Sequence, residues 1–131
     1  MNPQVKQMWL DALRSGEYQQ TTGKLRRPSG SSIQGDGYCC LGVLCDLHAA
    51  EHQKSWERND VNCYDYLGDH EHLPRQVIEW AGLTSENPHV STRHVFPGDT
   101  EPSYVKASIA EFNDDFDFNF SQIADLIEEQ L

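Results

Sequence analysis

Cys39 and Cys40 stand just after glycines at 35 and 37, at the start of the apolar run Tyr38-Cys39-Cys40-Leu41-Gly42-Val43-Leu44-Cys45-Asp46-Leu47. A thiol in the first turn of a helix has its anion stabilised by the helix dipole, which is one way to make a cysteine nucleophile. A papain-like hydrolase pairs such a thiolate with a histidine from a later strand and orients the imidazole with a third polar group. Cys39 or Cys40, then His89 or His94, then Asn113 or Asp114 occur here in that order. The competing reading is structural. Free cysteine is among the most buried residue types, and three thiols inside one apolar run weaken the case for any one of them.

A second group of residues suits binding without catalysis. Arg14, Arg26 and Arg27 carry guanidinium forks that match phosphate. Tyr18, Tyr38, Trp56 and Tyr66 supply rings on which a base can stack, and Gln20 and Asn113 supply amides that can read its edge. The expected ligand-binding set is therefore Arg14, Tyr18, Gln20, Arg26, Arg27, Tyr38 and Asn113, and the expected partner is a small nucleotide-type ligand. Against it, arginines flanking short strands are usually solvated, and Trp9 and Trp80 at apolar helical positions read as core.

Metal chemistry fits less well. Cys39, Cys40, Cys45 and Cys63 with His48, His70 or His72 lack the paired short spacings of a zinc site. Asp115, Asp117 and Asn119 match the first, third and fifth positions of a calcium loop. Phe120 and Leu126, however, stand where that loop needs glycine and a bidentate glutamate. Neither a metal nor a cofactor is expected.

The length of 131 residues fits one domain with a single core. No apolar run is long enough for a membrane span, and no signal-peptide pattern opens the chain, so a cytosolic protein with reduced thiols is expected. The net charge of −11 is unevenly spread. Up to residue 37, Lys6, Arg14, Lys24, Arg26 and Arg27 outnumber Asp11, Glu17 and Asp36, whereas Glu111, Asp114, Asp115, Asp117, Asp125, Glu128 and Glu129 close the chain without a cation. Broad nucleic-acid binding is excluded by that balance, because such affinity needs an extended basic face. An acidic surface can instead meet a partner protein where that protein expects DNA phosphates. A homo-oligomer stays open.

The positioning elements follow from caps and periodicity. Asn2 and Pro3 start a helix that carries Val5, Met8, Trp9, Ala12 and Leu13 and ends at Gly16. Tyr18 to Gln20 and Lys24 to Arg27 read as short strands across Thr21-Thr22-Gly23, and Pro28 to Gly37 as a loop. The cysteine run predicts a central helix from Tyr38 to Glu51. From His52 to His72 an irregular segment or short strand is expected. Leu73-Pro74 starts a helix with Val77, Ile78 and Ala81, closed by Gly82. Val90 to Phe96 reads as an edge strand, and Ser103 to Asn113 as a helix carrying Val105, Ile109 and Phe112. Phe116, Phe118 and Phe120 alternate like a strand or core anchor. Asn119 with Gln122 forms a capping box for a last helix buried through Phe120, Ile123, Ala124, Ile127 and Leu131. The expected fold is α+β, a single compact domain over residues 1–131, with about four or five helices around a small antiparallel sheet.

The segments Trp9 to Gln20, Tyr38 to Leu47, Leu73-Pro74, Trp80-Ala81-Gly82-Leu83, Phe112-Asn113-Asp114 and Ile123 to Glu128 together resemble a family of short bacteriophage and prophage proteins. The resemblance covers nearly the whole chain. It implies a phage accessory protein acting in the bacterial host cytoplasm, and it implies no activity. In that setting the expected function is a non-catalytic binding protein that sequesters a nucleotide-type immune signal. The alternatives are an acidic, DNA-mimicking inhibitor of a host protein and the papain-like hydrolase.

Overall fold

Asn2 folds its side chain back to accept hydrogen bonds from the amides of Gln4 and Val5, and Pro3 supplies a preset first turn, so helix α1 runs over Pro3–Arg14. The computed structural model describes residues 1–29, 35–60 and 62–131 of the chain. Residues 30–34 of the loop expected at 28–37, and residue 61, lie outside the described residues.

Along the chain α1 is followed by strands β1 (Gln19–Gln20), β2 (Arg26–Arg27) and β3 (Gly37–Tyr38), then helix α2 (Cys40–His52). Strands β4 (Glu57–Asp60) and β5 (Cys63–Asp65) precede helix α3 (Arg75–Ala81). Strands β6 (His89–His94) and β7 (Ser103–Ser108) lead into helices α4 (Ile109–Asp114) and α5 (Phe120–Gln130). The fold is α+β as expected, but among the described residues the strands form three small sheets rather than one.

The three sheets differ in how they pair. The expected pairing of the strands near residues 20 and 26 does not form, because β3 lies between them, parallel to β1 and antiparallel to β2. Gly37 makes that close approach possible, since a Cβ there would fall 2.8 Å from the Cβ of Thr21. The other two sheets are antiparallel hairpins, β4 with β5 and β6 with β7.

Helix α2 is the axis of the core. Residues 40 to 45 are buried one after another, as expected of a helix that is apolar all round. It packs against α1, α3, α4 and β3. Trp9 of α1 is fully buried and donates its indole N–H to the Cys40 carbonyl at 2.9 Å. Trp80, expected in the core, is only half-buried.

The segment from Ser103 to Asn113 departs most from expectation. Ser103–Ser108 is strand β7, paired residue for residue with β6, and the helix begins only at Ile109. Ser108 caps it with Glu111 in a reciprocal capping box, so the helical spacing of Val105, Ile109 and Phe112 straddles two elements. Cross-strand pairing outweighed the local pattern. Nor do the phenylalanines form a strand. Asp117 turns through φ +56°, and Phe116 and Phe118 pack on Phe112 at 5.2 and 5.0 Å. Helix α5 carries the expected capping box and lies along α1. Among the described residues no helix is long and apolar enough to cross a membrane.

Candidate functional site

Arg26 and Tyr38 are partners in the β2–β3 register. The Arg26 guanidinium lies 5.2 Å from the Tyr38 ring centroid, 5.4 Å from that of Trp56 and 4.5 Å from that of Tyr64. Its Nε and Nη2 both donate to Asp36 Oδ2, at 2.9 and 2.6 Å, and the Ser29 amide donates to Asp36 Oδ1. Burial works against the Asp36 carboxylate, but the hydrogen bonds from Arg26 and Ser29 prevail and hold its pKa below the ordinary value.

A second carboxylate organises the rings. Asp46, in the middle of α2, accepts the Tyr18 hydroxyl at 2.7 Å and the Trp56 indole N–H at 3.0 Å. Tyr18 meets Tyr38 edge-on with centroids 5.0 Å apart, Tyr38 meets Trp56 at 6.1 Å, and Trp56 meets Tyr66 at 5.0 Å. Burial pushes the Tyr38 phenol up to about 12 with help from Asp46, and burial and Asp46 push Tyr18 up as well. Both rings are neutral phenols at physiological pH. The rings singled out by residue type thus form one continuous cluster.

A groove of about 610 Å³ opens beside this cluster, and Tyr18, Gln20, Tyr38, Glu17 and Asp36 are among the residues that line it. Three of the expected binding residues therefore line one space, and Arg26 stands behind Tyr38. The other expected residues are placed elsewhere. Arg14 is exposed on α1 and pairs with Asp125 and Glu128 of α5 at 2.8 and 3.1 Å. Arg27 donates its Nε to the Thr22 carbonyl. Asn113 is buried and fully committed: its Oδ1 accepts from Gln20 Nε2 and the Cys40 amide, and its Nδ2 donates to the Thr21 carbonyl and Asp114 Oδ1. It ties α4 to β1 and the start of α2, and has no capacity left to read a ligand.

The hydrolase arrangement does not assemble. Cys39 does cap α2, its Sγ accepting from the Gly42 amide at 3.4 Å, so the expectation of a thiol at a helix start was right in position. Of the two readings offered for it, the buried structural thiol is the one its 4% exposure fits. Burial pushes the thiol from 9.0 to about 12, which is about 4 kcal/mol against the thiolate, whereas a helix N-terminus contributes about 1 kcal/mol in its favour. Burial raises Cys40 and Cys45 as well, and the Cys40 thiol donates to the Ile109 carbonyl. His89 is exposed beside the Asn87 carbonyl, and His94 packs on Phe96 and Phe118. Neither imidazole is hydrogen-bonded to a thiol or to Asn113. Among the described residues no three His, Cys, Asp or Glu side chains converge as metal ligands.

Sequence reasoning missed Asp46, Asp36 and Tyr64, the groups that hold the cluster together. Asp46 left one signal, being the single carboxylate between residues 40 and 50 of an otherwise apolar helix.

A family model described as a domain of unknown function, DUF8296, matches residues 1–131. No curated protein and no solved structure matches the chain.

Proposed function

The chain belongs to the DUF8296 family, from which no activity carries over, and we propose that it is a non-catalytic protein that binds a small nucleotide-type ligand beside Tyr18 and Tyr38. The observation that carries this reading is the meeting of two tyrosine rings, 5.0 Å apart, on the wall of a groove sized for a small molecule. A base stacks on a tyrosine ring at that wall.

The charges set the ligand's character. Arg26 is the one arginine of the expected set within the cluster, and a phosphate reaches its fork only by displacing Asp36. Asp36 already neutralises Arg26 and Glu17 adds a negative charge to the lining, so the ligand carries one phosphate or a neutral substitute rather than a chain of them. In the phage–host setting that the resemblance implies, such a protein acts in the bacterial cytoplasm and removes a nucleotide signal from the host's defence.

A thermal-shift panel of nucleosides, nucleoside monophosphates and cyclic mononucleotides tests the reading. A ligand at 100 times its dissociation constant adds about 2.7 kcal/mol, which raises the midpoint by several degrees. The shift is expected in the wild-type protein and absent from Tyr38→Ala. A flat panel, or an equal shift in both proteins, overturns it.

A further inference from the structure

A second cavity of about 510 Å³, open to solvent, lies between α2 and α3, lined by His48, His52, Trp80, Gln76 and Leu67 and by the opposite charges of Lys54 and Glu79. The two imidazoles stack face to face with centroids 4.0 Å apart and planes at 19°. Trp80 stands edge-on to both, at 5.1 and 5.7 Å.

Hydrogen bonding assigns both tautomers. Tyr66 is fully buried, and its hydroxyl has one partner among the described residues, His48 Nδ1 at 2.6 Å. A buried O–H without an acceptor is costly, so Tyr66 donates, Nδ1 accepts, and the His48 proton resides on Nε2. His48 is only 4% exposed, and its Nε2 meets no protein group among the described residues. His52 lies with Nδ1 2.9 Å from the His48 carbonyl oxygen, which can only accept, so Nδ1 carries the proton and Nε2 of the neutral ring is a bare acceptor. In these tautomers the lining residues carry one N–H donor, on buried His48, and one nitrogen acceptor, on the exposed ring of His52, neither with a partner among the described residues.

Two histidines one helical turn apart resemble half of a metal site. The tautomers argue otherwise. Chelation needs a lone pair on both Nε2 atoms, and moving the His48 proton to Nδ1 strands the Tyr66 hydroxyl.

The geometry points to a second ligand site, in which the His48–His52–Trp80 cavity takes a small, uncharged, planar heteroaromatic molecule bearing an acceptor beside a donor, as a lactam does. The acceptor meets His48 Nε2–H, the donor meets His52 Nε2, and the ring lies against Trp80 and Leu67. This site shares no lining residue with the groove beside Tyr18.

The test uses the full chain labelled with ¹⁵N. Long-range ¹H–¹⁵N correlation is expected to show His48 protonated on Nε2 and His52 on Nδ1. Titration with 2-pyridone is expected to shift the two imidazoles and the Trp80 indole saturably, with N-methyl-2-pyridone, which lacks the donor, bound about fivefold more weakly or worse. His52→Phe keeps a flat ring against His48 and removes the acceptor. It is expected to abolish the preference between the two probes while leaving the melting midpoint in place, and Tyr38→Ala is expected to bind 2-pyridone as the wild type does. No saturable shift, equal binding of both probes, a preference that survives His52→Phe, His48 protonated on Nδ1, or zinc held by both rings would each overturn the assignment.

Discussion

Gly42 of α2 rests directly on the backbone of Leu25, so that a Cβ added to the glycine would lie 1.7 Å from the Leu25 carbonyl oxygen. The same carbonyl accepts the Cys39 amide, and the Leu25 amide reaches across to the His70 carbonyl at 2.8 Å. Leu25 is thus the seam where the central helix, strand β2 and the segment before α3 meet. Only a residue without a side chain allows the helix to lie that close.

Gly42→Ala is expected to be among the most damaging single substitutions in the chain. Neither the helix nor the Leu25 backbone can give way by the necessary distance within a packed core, so the loss should be about 3 kcal/mol or more. A urea melt measures it. A change below about 1 kcal/mol would show that the two backbones part easily.

Asn113→Ala removes four hydrogen bonds and leaves the Cys40 amide and the Thr21 carbonyl without this partner, while Gln20 keeps the Phe118 carbonyl. A cost of about 2 to 4 kcal/mol is expected from the stranded groups. Ligand affinity extrapolated to the fully folded fraction should change little, which separates a structural tie from a contact residue. Arg14→Ala, by contrast, loses only a surface ion pair and should cost under about 1 kcal/mol.

Cys39, Cys40 and Cys45 are expected to resist iodoacetamide at neutral pH in the native protein and to react together once it unfolds. Burial raises all three thiols far above the working pH. Mass spectrometry after brief labelling decides the matter, and rapid selective modification of Cys39 would restore the nucleophile.

Stability is expected to fall with acid over a window set partly by His48. Burial, assisted by His52, lowers this ring from 6.5 to about 4 in the folded protein. Between those values the unfolded chain takes up a proton that the native one refuses. The contribution is therefore complete above pH about 6.5, is lost progressively toward pH about 4, and is constant below it. Replacing His48 and Tyr66 together by Phe removes the titrating group without stranding the hydroxyl. The melting midpoint of the double variant should fall less steeply across this window, and parallel slopes would contradict the assignment.

Elements whose signals are local were legible in the residues. Asn2-Pro3 and Asn119 with Gln122 announce α1 and α5 because a cap is made within three residues of itself, and the unbroken apolar run from Cys40 to Cys45 could only be a central helix. The α+β class followed from these helices and the short runs between them. Residue type alone also named Tyr18, Tyr38, Trp56 and Tyr66 as one set. Their arrangement was decided by contacts between distant segments. Strand β3 enters between β1 and β2, β7 takes residues that share a helical spacing with α4, and Asp46 and Asp36 fasten the rings. The same holds for the thiols and for Asn113. A helix start promises a reactive cysteine and an amide promises a reader, but desolvation and hydrogen-bond partners settle both, and those depend on the packing of the whole chain.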